Sequence, residues 1–174
     1  MTESSQKQTP TNYQLDGVLD DGKHEYHLRV QYEDTDAGGI VYHAQYVAFA
    51  ERARSAWLRC LDIDQPRLLS QEKLAFIVRH IDVDFLQAAA LGEVLGVTSE
   101  VLKIGGARVT LRQTITNMQF CLIVARLVVD IGFVKLQRAG AARACRMPPD
   151  IREKLAGQQL GFKFEVSVSG EGRH

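Results

Sequence analysis

Asp36 stands in the stretch EDTDAGGIVYHAQY, residues 33–46, after an alternating segment and ahead of a helical one. A carboxylate can attack a carbonyl carbon or take a proton from water. The first turn of a helix carries unpaired backbone N–H groups and partial positive charge, which can hold a developing oxyanion. A carboxylate facing such a turn suits acyl transfer or hydrolysis. An aspartate before a helix is more often an N-cap, but a capping side chain sits at the helix boundary. Asp36 lies about six residues ahead of Tyr42, where the helical pattern begins, with Gly38 and Gly39 between them. That position favours chemistry over capping.

Other reactive side chains have blander readings. The His43 side chain could serve as base or donor, and a first-turn histidine is equally often plain surface. Tyr42 and Tyr46 could line an acyl pocket, with Tyr46 on the core stripe. Glu51 is a helical carboxylate three residues from Arg54, a spacing that favours an ion pair. Glu33 and Asp34 are expected to face solvent or neighbouring loops, with Asp34 a candidate to orient the loop. Asp82 and Asp84 alternate with apolar residues as a solvated strand face. Cys121 falls in an apolar run and reads as a buried thiol.

The elements that must hold these groups follow from periodicity. Residues 1–22 are polar and aperiodic, as in a flexible tail. In HEYHLRVQY, Tyr26, Leu28, Val30 and Tyr32 alternate with His27, Arg29 and Gln31, which marks a half-buried strand. Between Tyr42 and Leu61, Tyr46, Ala50, Ala53, Trp57 and Leu61 recur at helical steps. Four strand-like segments follow, over 73–85, 93–104, 107–116 and 119–136, with a hairpin signal at Gly105 and Gly106. DIREKLA reads as a short helix stopped by Gly157. Residues 160–169 alternate again, and suggest an added strand or a tail. One helix between a first strand and a meander cannot build a parallel fold. The pattern predicts an α+β domain over 23–147, an antiparallel sheet of about five strands around one central helix, with 148–174 appended.

The totals set limits. The chain has 174 residues, 45 % of them hydrophobic, and zero formal net charge, which argues for one globular domain and against an electrostatic nucleic-acid binder. Three separated cysteines without metal spacing fit a reduced, cytoplasmic protein. The sequence shows neither a signal-like start nor a membrane-span-length apolar run.

YEDTDAGGIVYHAQYVAFAERAR resembles the signature of the hotdog-fold 4-hydroxybenzoyl-CoA thioesterase family, in the branch of small acyl-CoA thioesterases associated with the Tol–Pal envelope system. FIVRHIDVDFLQAAALGEVLGV is similar to that branch's next segment, although Ala88 and Ala89 replace the expected proline-containing turn. The resemblance implies a helix wrapped by antiparallel strands, dimers or tetramers with sites between protomers, and no metal or organic cofactor. It implies that Asp36 is the catalytic carboxylate and that the His43 backbone N–H polarises the thioester carbonyl. Gly39, Ile40, Val41, Tyr42 and Tyr46 become candidate substrate contacts. Arg79 and Arg108, like Lys135, Arg138, Arg143 and Arg146, are candidates for the coenzyme A phosphates. Acyl-CoA is the implied substrate, and acyl carrier protein and envelope-associated proteins are further candidate partners. Two rival readings are a hotdog dehydratase pairing His43 with Glu51, and an acyl-CoA or partner-binding protein without chemistry.

Overall fold

The computed structural model describes residues 15–137 and 141–159. The chain enters through a hairpin of β1 (Val18–Asp20) and β2 (Lys23–Arg29). Asp21 and Gly22 turn it with φ of 41° and 74°, the paired left-handed conformation that Asp-Gly supplies in tight hairpins. Pairing therefore begins inside the segment read as a tail. Three residues of β1 are too few to show a period.

After a 3-10 turn over Tyr32–Asp34 comes helix α1 (His43–Cys60). The turn ends the alternation of β2 early, so Tyr32 is exposed and does not share the buried side of Leu28 and Val30. Short helical turns, α2 (Gln65–Arg67) and a π turn at Leu68–Glu72, lead to β3 (Leu74–Phe85). Strands β4 (Val94–Ile104), β5 (Arg108–Asn117) and β6 (Leu122–Leu136) form the meander. Strand β7 (Ala142–Ala144) pairs with the end of β6, and α3 (Pro149–Ala156) closes the described chain.

The pairings are antiparallel, in the order β1-β2-β4-β5-β6-β3, with β7 on β6. The short β1 and β7 raise the count to seven from the five that alternation reveals. Tyr46, Phe49, Ala50, Ala53, Ala56 and Trp57 of α1 are buried and join a core with Leu95, Val97, Leu111, Ile115, Leu127 and Val129. Burying a side chain such as Phe49 contributes about 1.5–3 kcal/mol. The alanines let the helix approach closely enough for the Gln113 amide to donate to the Ala50 carbonyl at 3.0 Å.

Strand β3 ends the order and leaves one edge unpaired among the described residues. Ile77, Val78, Arg79 and His80 are consecutively exposed, and the register slips between Val78 and His80. Cys121 is not buried in a strand. It sits exposed at the β5–β6 hairpin with φ of 55°, one residue before β6 begins. Residues 160–169 lie outside the described residues. Among the described residues no helix is long and apolar enough to cross a membrane.

Candidate active site

Asp36 rides on a tight loop pinned at its base by an antiparallel bridge between Thr35 and Val41. Within it, the Asp36 amide donates to the Ile40 carbonyl at 2.9 Å and the Gly39 amide to the Asp36 carbonyl at 3.0 Å. The two glycines have different causes. Gly39 has φ of 77° with open space around it, so backbone conformation alone demands it. Gly38 donates its amide to Asp36 Oδ1 at 2.8 Å, and a Cβ there would lie 3.1 Å from that oxygen. One carboxylate oxygen is thus engaged, and the other has no hydrogen-bond partner among the described residues. The carboxylate is exposed on the single chain.

The loop runs directly into α1. Tyr42 precedes the helix in an extended conformation, and no side chain caps it. The Tyr42 amide is used by the Asp34 carbonyl at 2.9 Å and the Gln45 amide by the Tyr42 carbonyl at 2.8 Å. The His43 and Ala44 amides have no acceptor among the described residues. An uncapped helix start therefore follows three residues after Ile40, which is hydrogen-bonded to Asp36.

The β3–β4 loop braces this arrangement. The Val41 amide donates to the Ala89 carbonyl at 2.8 Å, and Ile40 bridges to Ala90. The Tyr46 hydroxyl accepts from the Ala89 amide at 3.1 Å. Burial pushes the Tyr46 phenol above its ordinary pKa, with the nearby Glu93 charge adding to this and the Ala89 bond opposing it. Glu93 in turn accepts from the Ala90 amide at 2.9 Å and from Asn117 at 2.7 Å.

The candidate residues therefore separate. Asp36, Gly39, Ile40, Tyr42 and His43 are exposed, while Val41 and Tyr46 turn into the core. Val41 and Tyr46 serve as struts, because their polar groups are already bonded to Ala89. Arg79 and Arg108 are brought together elsewhere. Both flank Gly132 on the sheet, Arg108 as its cross-strand partner and Arg79 by lying over it. Six residues of strand, about 20 Å, separate Arg79 from Phe85 at the loop end of β3. Neither arginine forms an ion pair among the described residues.

Two neighbours of the site escaped sequence reasoning. Phe85 is 51 % exposed and meets His43 edge-on at 6.1 Å between ring centres and Tyr46 at 5.8 Å. Its place in an alternating strand carried no sign that the strand ends beside the helix start. Together Ile40, Tyr42, Phe85 and Leu86 form an exposed apolar surface around the helix start, a property of binding sites. Asp34, expected to face solvent or neighbouring loops, is only 1 % exposed and accepts from the Gln31 amide. A buried acid in a polar run gives no sequence signal.

Glu51 pairs with Arg54 at 2.5 Å. It lies eight residues along α1 from His43, about 12 Å by helical rise. That separation removes a His43–Glu51 dyad within one chain.

The architecture matches known proteins. Residues 30–155 match the thioesterase-like superfamily. The chain belongs to that superfamily, whose members share the hotdog fold. It is 38 % identical over 135 residues to the acyl-CoA thioesterase YbgC of Haemophilus influenzae, covering 78 % of this chain and 95 % of the relative. A probable thioesterase from Bartonella henselae is 32 % identical with a TM-score of 0.64, over 72 % of this chain and 99 % of that one. The 4-hydroxybenzoyl CoA thioesterase of Pseudomonas sp. strain CBS-3 has a TM-score of 0.70 at 15 % identity, over 76 % of this chain and 98 % of the other. This last likeness concerns the fold.

Proposed function

We propose that this chain hydrolyses acyl-CoA thioesters, with Asp36 as the working carboxylate and the His43 amide as oxyanion donor. The observation that carries the reading is the bonded loop joining Asp36 to an uncapped helix start. A thioester carbonyl placed against that start gains backbone donors as negative charge grows on its oxygen. One such donor is worth on the order of a hundredfold to a thousandfold in rate.

The unbonded Asp36 oxygen does the chemistry. By one route it attacks the carbonyl carbon, the C–S bond breaks, and water then hydrolyses the mixed anhydride. By the other it takes a proton from water, whose oxygen attacks, and the departing thiolate receives the proton. The products of both are a carboxylic acid and coenzyme A. When water opens the anhydride at Asp36 Cγ, single turnover in 18O-water separates the routes, because the acid then leaves with an Asp36 oxygen and the label enters the Asp36 carboxylate.

The apolar surface of Ile40, Tyr42, Phe85 and Leu86 receives the acyl part in this reading. Arg79 and Arg108, a cationic pair without a carboxylate partner, are assigned to the coenzyme phosphates. The open site and the unpaired β3 edge support a homodimer formed along β3, with a tetramer as its higher assembly, because a second copy would supply both a strand and a wall against water. Free Cys60, Cys121 and Cys145 fit a reducing cytoplasm. Acyl carrier protein and envelope-associated proteins, including those of the Tol–Pal system, are the further partners in this reading.

Thiol release across short, long and aromatic acyl-CoAs tests the proposal. Asp36→Asn keeps the oxygen that accepts from Gly38 and removes the charge, so kcat should fall by about a hundredfold or more with the melting temperature held. Near-normal turnover by this variant on its best substrate would remove Asp36 from the chemistry.

A further inference from the structure

Asp34 is a carboxylate beside the site that the proposed chemistry does not use, and it is buried. Its Oδ2 accepts from the Gln31 amide at 2.8 Å, at the exit of β2. Its backbone carbonyl accepts from the Tyr42 amide at 2.9 Å, one residue before the helix. Its Oδ1 is buried without a hydrogen-bond partner among the described residues.

These two bonds sit on either side of Thr35–Val41, the loop that carries Asp36. The Gln31 bond closes the 3-10 turn that aims the loop. The Tyr42 bond sets the peptide from which the His43 amide projects. Asp34 therefore couples the position of the carboxylate to the position of the oxyanion donors, although it faces away from the surface where both are displayed.

We infer that Asp34 is a positioning residue for the hydrolysis, acting through the shape and placement of its carboxyl group and not through its charge. This rests on the reading of Asp36 and His43 given above. Asparagine preserves the oxygen that accepts from Gln31 and replaces Oδ1, which has no protein partner to lose. Glutamate preserves the charge and moves both oxygens by roughly 1 Å or more, a displacement that costs about a hundredfold when it reaches reacting groups.

The experiment measures kcat and KM for thiol release, with melting temperature, in full-length Asp34→Asn and Asp34→Glu. Asp34→Asn should stay within about threefold of the parent kcat, and Asp34→Glu should lose at least about tenfold in kcat with KM changed less than about threefold. If Asp34→Glu does not fold, Asp34→Ala removes the acceptor without added bulk and is read in the same way. Parent-like kcat in the folded glutamate or alanine variant overturns the inference, because the loop then holds its register without that carboxyl. So does an asparagine variant as slow as the glutamate one, which would make charge the active property. Asp36→Asn is measured alongside. If it keeps turnover, the catalytic reading fails and this inference falls with it. If it is inactive while Asp34→Glu is not, only the positioning role is lost.

Discussion

Removing one oxygen atom from Tyr46 tests whether this residue braces the site or touches substrate. Tyr46 is 3 % exposed, and its hydroxyl accepts from the Ala89 amide at 3.1 Å. Ala89 is itself 1 % exposed, so Tyr46→Phe leaves a buried N–H with no acceptor. An orphaned buried donor costs about 1–3 kcal/mol. In a domain of this size each kcal/mol lowers the melting temperature by about 2–4 °C, which gives a drop of about 2–12 °C. The Ala89 carbonyl still holds the Val41 amide and Ile40 still bridges to Ala90, so the helix start keeps its backbone ties. We expect kcat to fall by less than about tenfold. Thermal unfolding by circular dichroism and steady-state thiol release on the same sample measure both. A melting temperature unchanged within 1 °C, together with a hundredfold loss of kcat, would refute the reasoning and make the hydroxyl a substrate contact.

Other expectations follow from buried polar groups and from charge. Gln113 is fully buried and links the Arg54 guanidinium, the Ala50 carbonyl and Ser99. Gln113→Leu should cost about 3 kcal/mol or more, read as a lower denaturation midpoint in urea. His24 is buried, with Nε2 on the Asp16 carbonyl at 2.6 Å and Nδ1 unpartnered. Burial pulls its pKa below the usual value of about 6.5, against the raising effects of the Asp16 carbonyl bond and charge, with Arg59 adding to the lowering. The unfolded chain therefore takes up the proton first, and His24's contribution to stability is lost as pH falls from about 6.5 toward the lower native value. Denaturation at pH 7.5 and 5.5 should show a smaller acid loss in His24→Gln than in the parent; equal losses would exclude His24 as the cause. Replacing Arg79 and Arg108 together with alanine should raise KM for acyl-CoA by about tenfold or more with kcat held. An unchanged KM would take the phosphates elsewhere.

How much of this was legible in the amino-acid order depends on the range of the cause. Helix α1 was legible because Tyr46, Ala50, Ala53 and Trp57 repeat at its own period. Strands β3 to β6 were legible because alternation is a local consequence of a pleat. Asp36 stood out because two glycines separate it from the helix start, and both the φ of Gly39 and the amide of Gly38 act within three residues of it. The remainder came from chain segments distant in sequence. Ala89 supports Val41 and Tyr46 across more than forty residues. Phe85 reaches His43 only because β3 ends there, and Asp34 is buried by packing that its polar neighbours in sequence do not signal. Arg79 and Arg108 meet across β6 at Gly132. Local periodicity and turn chemistry are written along the chain, and they determined the elements and the loop that carries Asp36. Which side chains brace that loop and which surround it was decided by packing between strands, whose register no single segment encodes.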